Sequence, residues 1–334
     1  MNKSARFNRS LVTTVIAVGT LYAGAWRAEA DFIQTNLVSD IPGLAAITEP
    51  ELVNPWGISH SATSPIWVSN QGTNTANLFA VSPTLMKVSP AGTDGNIVIP
   101  TAGSGPAQGP TGQVNNSGTG FVLANGNPAS FIFANLNGTI SAWNGGTQAS
   151  IQATTPGAIY TGLAINQAVV INGQPQPVLY AANTAQGRID VFDKSFAPVN
   201  LGPNAFVAPG VPAGLVPFNV QNIGANVYVT YAPSGVQNQR NATPGMGAVA
   251  IFDQNGNFLR MAAVGGPLAS PWGITLAPAS FGPFANDLLV GNFSCGASEI
   301  NVFDQSGNLV GTIPIALAAT RQAAFGPSSS GPGA

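Results

Sequence analysis

Cysteine is nearly absent from this chain. Its one thiol, Cys295, has no partner for an internal disulfide, so burial alone must hold the fold. Histidine is as scarce. His60 is the only one, and Cys295 lies in a Gly-rich turn context, "NFSCGAS", so the sequence offers neither a Ser-His-Asp triad nor an activated cysteine. Charge is the third shortage: Asp, Glu, Lys and Arg make up 7% of the residues, against roughly 25% in an ordinary domain. Beyond residue 30, six cations (Lys87, Arg188, Lys194, Arg240, Arg260 and Arg321) stand against eleven Asp and Glu, a net charge of −5. Six scattered cations make no phosphate-tracking stripe, which argues against nucleic acid as a partner. Long apolar runs are missing too. After the first thirty residues no stretch approaches the ~20 residues of a membrane span, so no membrane partner is expected for the rest of the chain.

Those first thirty residues read as an export signal. Lys3, Arg6 and Arg9 form a basic start, Leu11 to Tyr22 is apolar, and Ala28-Glu29-Ala30 gives a small-x-small cleavage pattern. Residues 1–30 are therefore expected to be a signal peptide, 31–315 the folded domain and 316–334 an irregular low-complexity tail, with the mature protein exported to the periplasm or outside the cell. What the chain does have is Gly, 40 residues, and Pro, 27, placed between β-branched and aromatic runs. That arrangement predicts tight turns between many short strands.

The pentapeptide "NPWGI" at 54–58 returns as "SPWGI" at 270–274, with weaker echoes between them: "GPTGQV" from 109, "IYTGLAI" from 159 and "VPFNVQ" from 216. Taking Trp56, Thr111, Thr161, Phe218 and Trp272 as equivalent gives spacings of 55, 50, 57 and 54. Each unit then carries an apolar second strand with a polar last residue ("IWVSN", "FIFAN", "LYAAN", "VYVTY", "LLVGN") and a third strand after a turn ("NLFAV", "TISAWN", "RIDVFD", "AVAIFD", "EINVFD"). In three of the repeats a turn and a fourth strand follow, clearest in "DQNGNFLRMAAV" and "DQSGNLVGTIPI", where Asp accepts from backbone N–H groups two residues on and Gly supplies positive φ. Four antiparallel strands per ~50 residues, repeated radially, predict an all-β fold, a β-propeller of four-stranded blades.

The repeat "GI…LYVAN…G.I.VFD..G" resembles NHL-type propellers. The longer runs "LVNPWGIS", "ASFIFANLNGTISAWN", "VPFNVQNIGANVYVTYA" and "GGPLASPWGITLAPASFGPFANDLLVGNF" resemble a family of uncharacterised exported bacterial proteins, some with PEP-CTERM sorting tails. The likeness runs from about Thr35 to Ile315. It implies a propeller on a six-bladed plan and no particular activity. Five complete blades are legible. A sixth inner strand is due near residue 322, where the chain reads "TRQAAFGPSSSGPGA", so the sixth blade is expected to be cut short. The expectation is a monomer able to associate through the incomplete ring.

In an antiparallel blade the start of strand one lies beside the end of strand two. One mouth of the central channel should therefore collect Asn54, Trp56, Phe218, Trp272, Asn70, Asn135, Asn183, Tyr231 and Asn292. Amides beside aromatic platforms suit a neutral polar, carbohydrate-like small molecule. The reading is a binding module for such a ligand or an extracellular partner, with no cofactor and no catalytic residue. The alternative is a metal-dependent hydrolase of the lactonase type, in which Glu49 and Glu51 near the mouth, with Asn side chains, would hold Ca²⁺. Asp193, Asp253 and Asp304 fall on the opposite face and read as turn residues. Blade four also inserts "PSGVQNQRNATPGM" between its second and third strands, long enough to reach over the mouth.

Overall fold

The computed structural model describes residue 32 and residues 34–81, 85–87, 94–102, 108–171 and 173–315. The expected signal peptide and the tail from 316 lie outside them. The described residues form five four-stranded blades in a propeller ring. Blade one runs Pro55–Ser59, Ile66–Asn70 and Thr75–Val81, and its fourth place is shared by Leu85–Lys87 and Asn96–Val98. Blade two is Pro110–Asn115, Phe131–Asn135, Thr139–Trp143 and Ser150–Thr154. Blade three is Tyr160–Ile171, Gln174–Asn183, Arg188–Phe192 and the two residues Pro198–Val199. Blade four is Leu215–Ile223, Asn226–Pro233, Ala248–Phe252 and Phe258–Val264. Blade five is Pro271–Leu276, Leu288–Asn292, Glu299–Phe303 and Leu309–Pro314. All five repeats fall on innermost strands, as the spacing predicted.

The repeated pentapeptide now has a physical cause. Asn54 and Ser270, which precede the two Pro-Trp-Gly runs, both take a left-handed backbone, each with φ 50°. Their carbonyls accept from Gln71 N (3.2 Å) and Phe293 N (2.9 Å), so each turns the chain into the inner strand beside the end of strand two. The glycine that follows is required by its neighbour. A Cβ at Gly57 would collide with the carbonyl oxygen of Thr111, one at Gly112 with the amide of Leu163, and one at Gly162 with the side chain of Asn219. In each case the glycine lets one inner strand approach the next. Blade four has Asn219 at that position, and its Nδ2 donates to Trp272 O at 2.7 Å.

This neighbour-to-neighbour contact lapses between blades five and one, where a Cβ at Gly273 would meet nothing within 4 Å. Ile58, on the flank of blade one that faces away from blade two, is 65% exposed. The N-terminal arm reaches across this junction: Phe32 stacks on Phe281 and Phe284 of blade five at 5.2 and 5.9 Å. Among its described residues the arm adds no strand to a blade, and Val38–Ser39 pairs in parallel with Ile47–Thr48.

Elsewhere the core lies in slabs between blades. Trp67, Phe131 and Phe133 fill the one between blades one and two, while Tyr180, Val229 and Phe252 belong to the slab between three and four. The turn aspartates do what their sequence suggests. Asp253 accepts from Asn255 N and Asn257 N, and Asp304 from Ser306 N and Asn308 N, all at 2.9 Å. The helical content of the described residues is one five-residue helix, Val236–Arg240, and a single 3₁₀ turn, Gly282–Phe284. That helix sits in the blade-four insertion.

Candidate functional site at the channel mouth

Inner strands start at the channel mouth, and the tryptophan two places after each Asn54-type turn projects toward the axis. Trp56 of blade one meets Phe218 of blade four (6.0 Å, edge-on), Trp272 of blade five (5.4 Å, edge-on) and Phe293 of blade five (4.9 Å). Phe218 also packs edge-on to Phe293 at 5.3 Å. Contacts between blades that are not neighbours must cross the axis, so this aromatic cluster occupies the channel. Trp272 adds a polar tie: its Nε1 donates to Thr161 O of blade three at 2.7 Å. Trp56 has no such tie, and its buried Nε1 finds no partner among the described residues.

Next to this cluster lies a cavity of about 270 Å³. Trp56 and Thr161 contribute from inner strands. Leu136 and Thr184 come from the ends of second strands, and Gln108 and Ile159 from the approaches to blades two and three. Val236 and Gln239 of the inserted helix complete the wall. The insertion is fastened on both sides of the mouth. Gln239 is almost wholly buried, at 2% exposure, and its Nε2 donates to Thr184 Oγ1 of blade three at 3.3 Å. The carbonyl of Arg240 accepts from Cys295 N at 3.1 Å and Ser294 Oγ at 3.3 Å, in blade five. Among the described residues no charged side chain lines the cavity.

The other residues expected at the mouth are placed as follows. Phe218 is fully buried in the aromatic cluster, and Asn54 Nδ2 donates to Gln71 Oε1 at 2.6 Å. Asn70, Asn135 and Asn183 are fully buried, and each turns its amide back into its own blade. Asn70 Nδ2 donates to Thr75 Oγ1 and Asn77 Oδ1, Asn135 Nδ2 to Thr139 Oγ1 and Ser141 Oγ, and Asn183 Nδ2 to Asp190 Oδ2. Asn292 does the same for blade five, donating to Pro267 O and Ala297 O and accepting from Ala269 N. Tyr231 packs in the core between blades three and four. Burial pushes its hydroxyl pKa up, and the hydroxyl finds no hydrogen-bond partner.

The residues the sequence reading passed over stand one place further on. Leu136, Thr184 and Phe293 each follow the terminal Asn of a second strand, and they supply cavity wall or channel aromatic. Side chains alternate along an extended chain, so when the Asn turns into the blade its successor turns to the channel. That signal was present in "ANL", "ANT" and "GNF".

The acids assemble no metal centre: among the described residues no three His, Cys, Asp or Glu come together. Glu49 is buried, and one carboxylate oxygen accepts from Glu51 N at 3.1 Å.

No family model matches the chain. Among solved structures it is similar to virginiamycin B lyase from Staphylococcus aureus, at 12% identity and a TM-score of 0.44, covering 78% of this chain and 70% of that one. A likeness that weak carries nothing about activity. Sequence relatives are nearer, and they are viral where the sequence resemblance pointed to exported bacterial proteins. "Uncharacterized protein R648" of Acanthamoeba polyphaga mimivirus is 29% identical over 296 residues, which is 86% of this chain and 70% of that protein. "Uncharacterized protein L690" of the same virus is 30% identical over 306 residues, covering 87% of this chain and 76% of its own length. The chain belongs to the family of L690.

Proposed function

We propose that this protein is an exported NHL-like propeller, a monomer able to associate through its incomplete ring, that binds a neutral polar, carbohydrate-like ligand at the channel mouth and performs no chemistry on it. The observation that carries the reading is the cavity beside Trp56. Its described wall is made of apolar side chains with a few hydroxyls and amides, and no charge. Its ~270 Å³ is close to the lower end of small-ligand pockets, about 300 Å³, which suits one or two sugar-sized rings. Trp56 offers part of its ring to the cavity, while Gln108, Thr161 and Thr184 offer donors and acceptors. The leading basic, apolar and Ala-Glu-Ala segments support export.

Glycan-array screening of the chain without residues 1–30 tests the reading, with tryptophan fluorescence titration of any hit. Binding should be retained at high salt, since no charge pairs are involved, and should fall at least tenfold in Trp56→Ala. A blank array, or hits indifferent to Trp56→Ala, would sink it. The lactonase alternative has no assembled ligand set among the described residues to start from. Elemental analysis of the same preparation is expected to show no stoichiometric calcium. One equivalent of bound calcium would reinstate the hydrolase.

A further inference from the structure

Away from the channel, blade three has an open edge. In blades four and five the fourth strand pairs with all five residues of the third. In blade three the fourth strand is only Pro198–Val199, and it pairs with Val191 and Phe192 alone. Arg188, Ile189 and Asp190 therefore have no strand beside them on the outer side among the described residues. A groove of about 640 Å³ follows this edge, from Thr155 of blade two, along Arg188–Phe192, to Leu201 and Phe206 on the side of blade four.

We propose that this edge takes an extended peptide segment of another protein as an added strand. A free strand edge presents alternating backbone donors and acceptors that only another extended backbone matches over several residues. Short outer strands can simply protect an edge. Here, however, the missing length is replaced by a groove of about 640 Å³, and its two sides differ in chemistry. Ile189 and Val191 face Leu201 and Phe206 in the apolar slab toward blade four. Asp190 lies on the opposite flank, accepting from Tyr160 Oη (2.9 Å), Asn183 Nδ2 (2.8 Å) and Arg188 Nε (2.6 Å). An added strand would point every second side chain at the apolar side and the intervening ones at this polar cluster. The segment recognised is thus one that alternates apolar with hydrogen-bonding residues. Its site is separate from the channel mouth, so the two ligands should bind independently.

A fluorescein-labelled heptapeptide, Thr-Val-Thr-Val-Thr-Val-Thr, tests this by anisotropy, with hydrogen exchange of the intact protein to locate it. Binding should slow amide exchange in 187–192, and Thr-Thr-Thr-Thr-Val-Val-Val should bind at least tenfold more weakly. N-methylating alternate amides should separate the two registers: one set should weaken binding about tenfold or more, and the other should leave it unchanged, because only one set faces the protein. No binding at millimolar peptide, equal effects of both N-methyl sets, or protection elsewhere would each overturn the proposal. So would self-association of the protein that the peptide dissolves, which would make the occupant a second copy of this chain.

Discussion

Trp56 and Trp272 occupy equivalent places in the same pentapeptide and do different work. The indole N–H of Trp272 is committed to Thr161 O across the ring, whereas that of Trp56 is buried and uncommitted. Replacing each by Phe separates these roles. Trp272→Phe removes a buried hydrogen bond and strands a carbonyl, and is expected to cost about 1–3 kcal/mol in urea unfolding. Trp56→Phe removes a donor that was bonded to nothing, so the expected change is within about 1 kcal/mol, set by the smaller ring in the cluster. A larger loss for Trp56→Phe than for Trp272→Phe would contradict the assigned geometry. At this scale the sequence was only half legible. The pentapeptide announced both rings, but which indole finds an acceptor depends on a residue 111 positions away. Likewise, the terminal asparagines were visible as strand ends. That they turn into Thr75, Thr139 and Asp190 of their own blades follows from the third strands beside them, which is pairing information.

Among elements, the inner strands illustrate how a repeat can be read when its cause is steric. The Gly at position four of the pentapeptide is there because the next inner strand arrives against it. Gly112→Ala would push a methyl into the backbone of Leu163 and Gly162, with no flexible side chain to yield, and is expected to destabilise by about 1–3 kcal/mol. Gly273→Ala, at the same motif position in blade five, meets open space and should be within about 0.5 kcal/mol of wild type. Differential scanning calorimetry of the pair checks this, and equal losses would mean that blade five is packed like the others. Second and third strands were equally plain, since apolar runs of five between Gly-containing turns have few other readings. Fourth strands were not. Their edges face solvent, so their composition is weakly constrained, and neither the split fourth place of blade one nor the two-residue strand of blade three left a pattern to follow. The inserted helix was missed for a different reason. Five residues, "VQNQR", after Gly235 are too few for a period, and tertiary anchoring at Gln239 and Arg240 holds them.

The whole molecule is shaped by the junction between blades five and one. The exposed Ile58 on one side and the unopposed Gly273 on the other leave apolar blade flank facing solvent. Self-association that rises with concentration is expected in sedimentation velocity, and Ile58→Lys should reduce it while leaving the melting temperature nearly unchanged. Association that is unaltered in Ile58→Lys would place the contact elsewhere. A row of blades joined only to their neighbours behaves as a linear array, and a linear array frays from its ends. Blades one and five would be those ends. The aromatic cluster and the Trp272–Thr161 bond change this, because they join blade one to four and five, and blade five to three. With such cross-members the terminal blades cannot peel away singly. Their slowest amides, like those of blade three, should exchange at rates set by global unfolding, and opening should be all-or-none where the outline of the ring alone suggests a hinge.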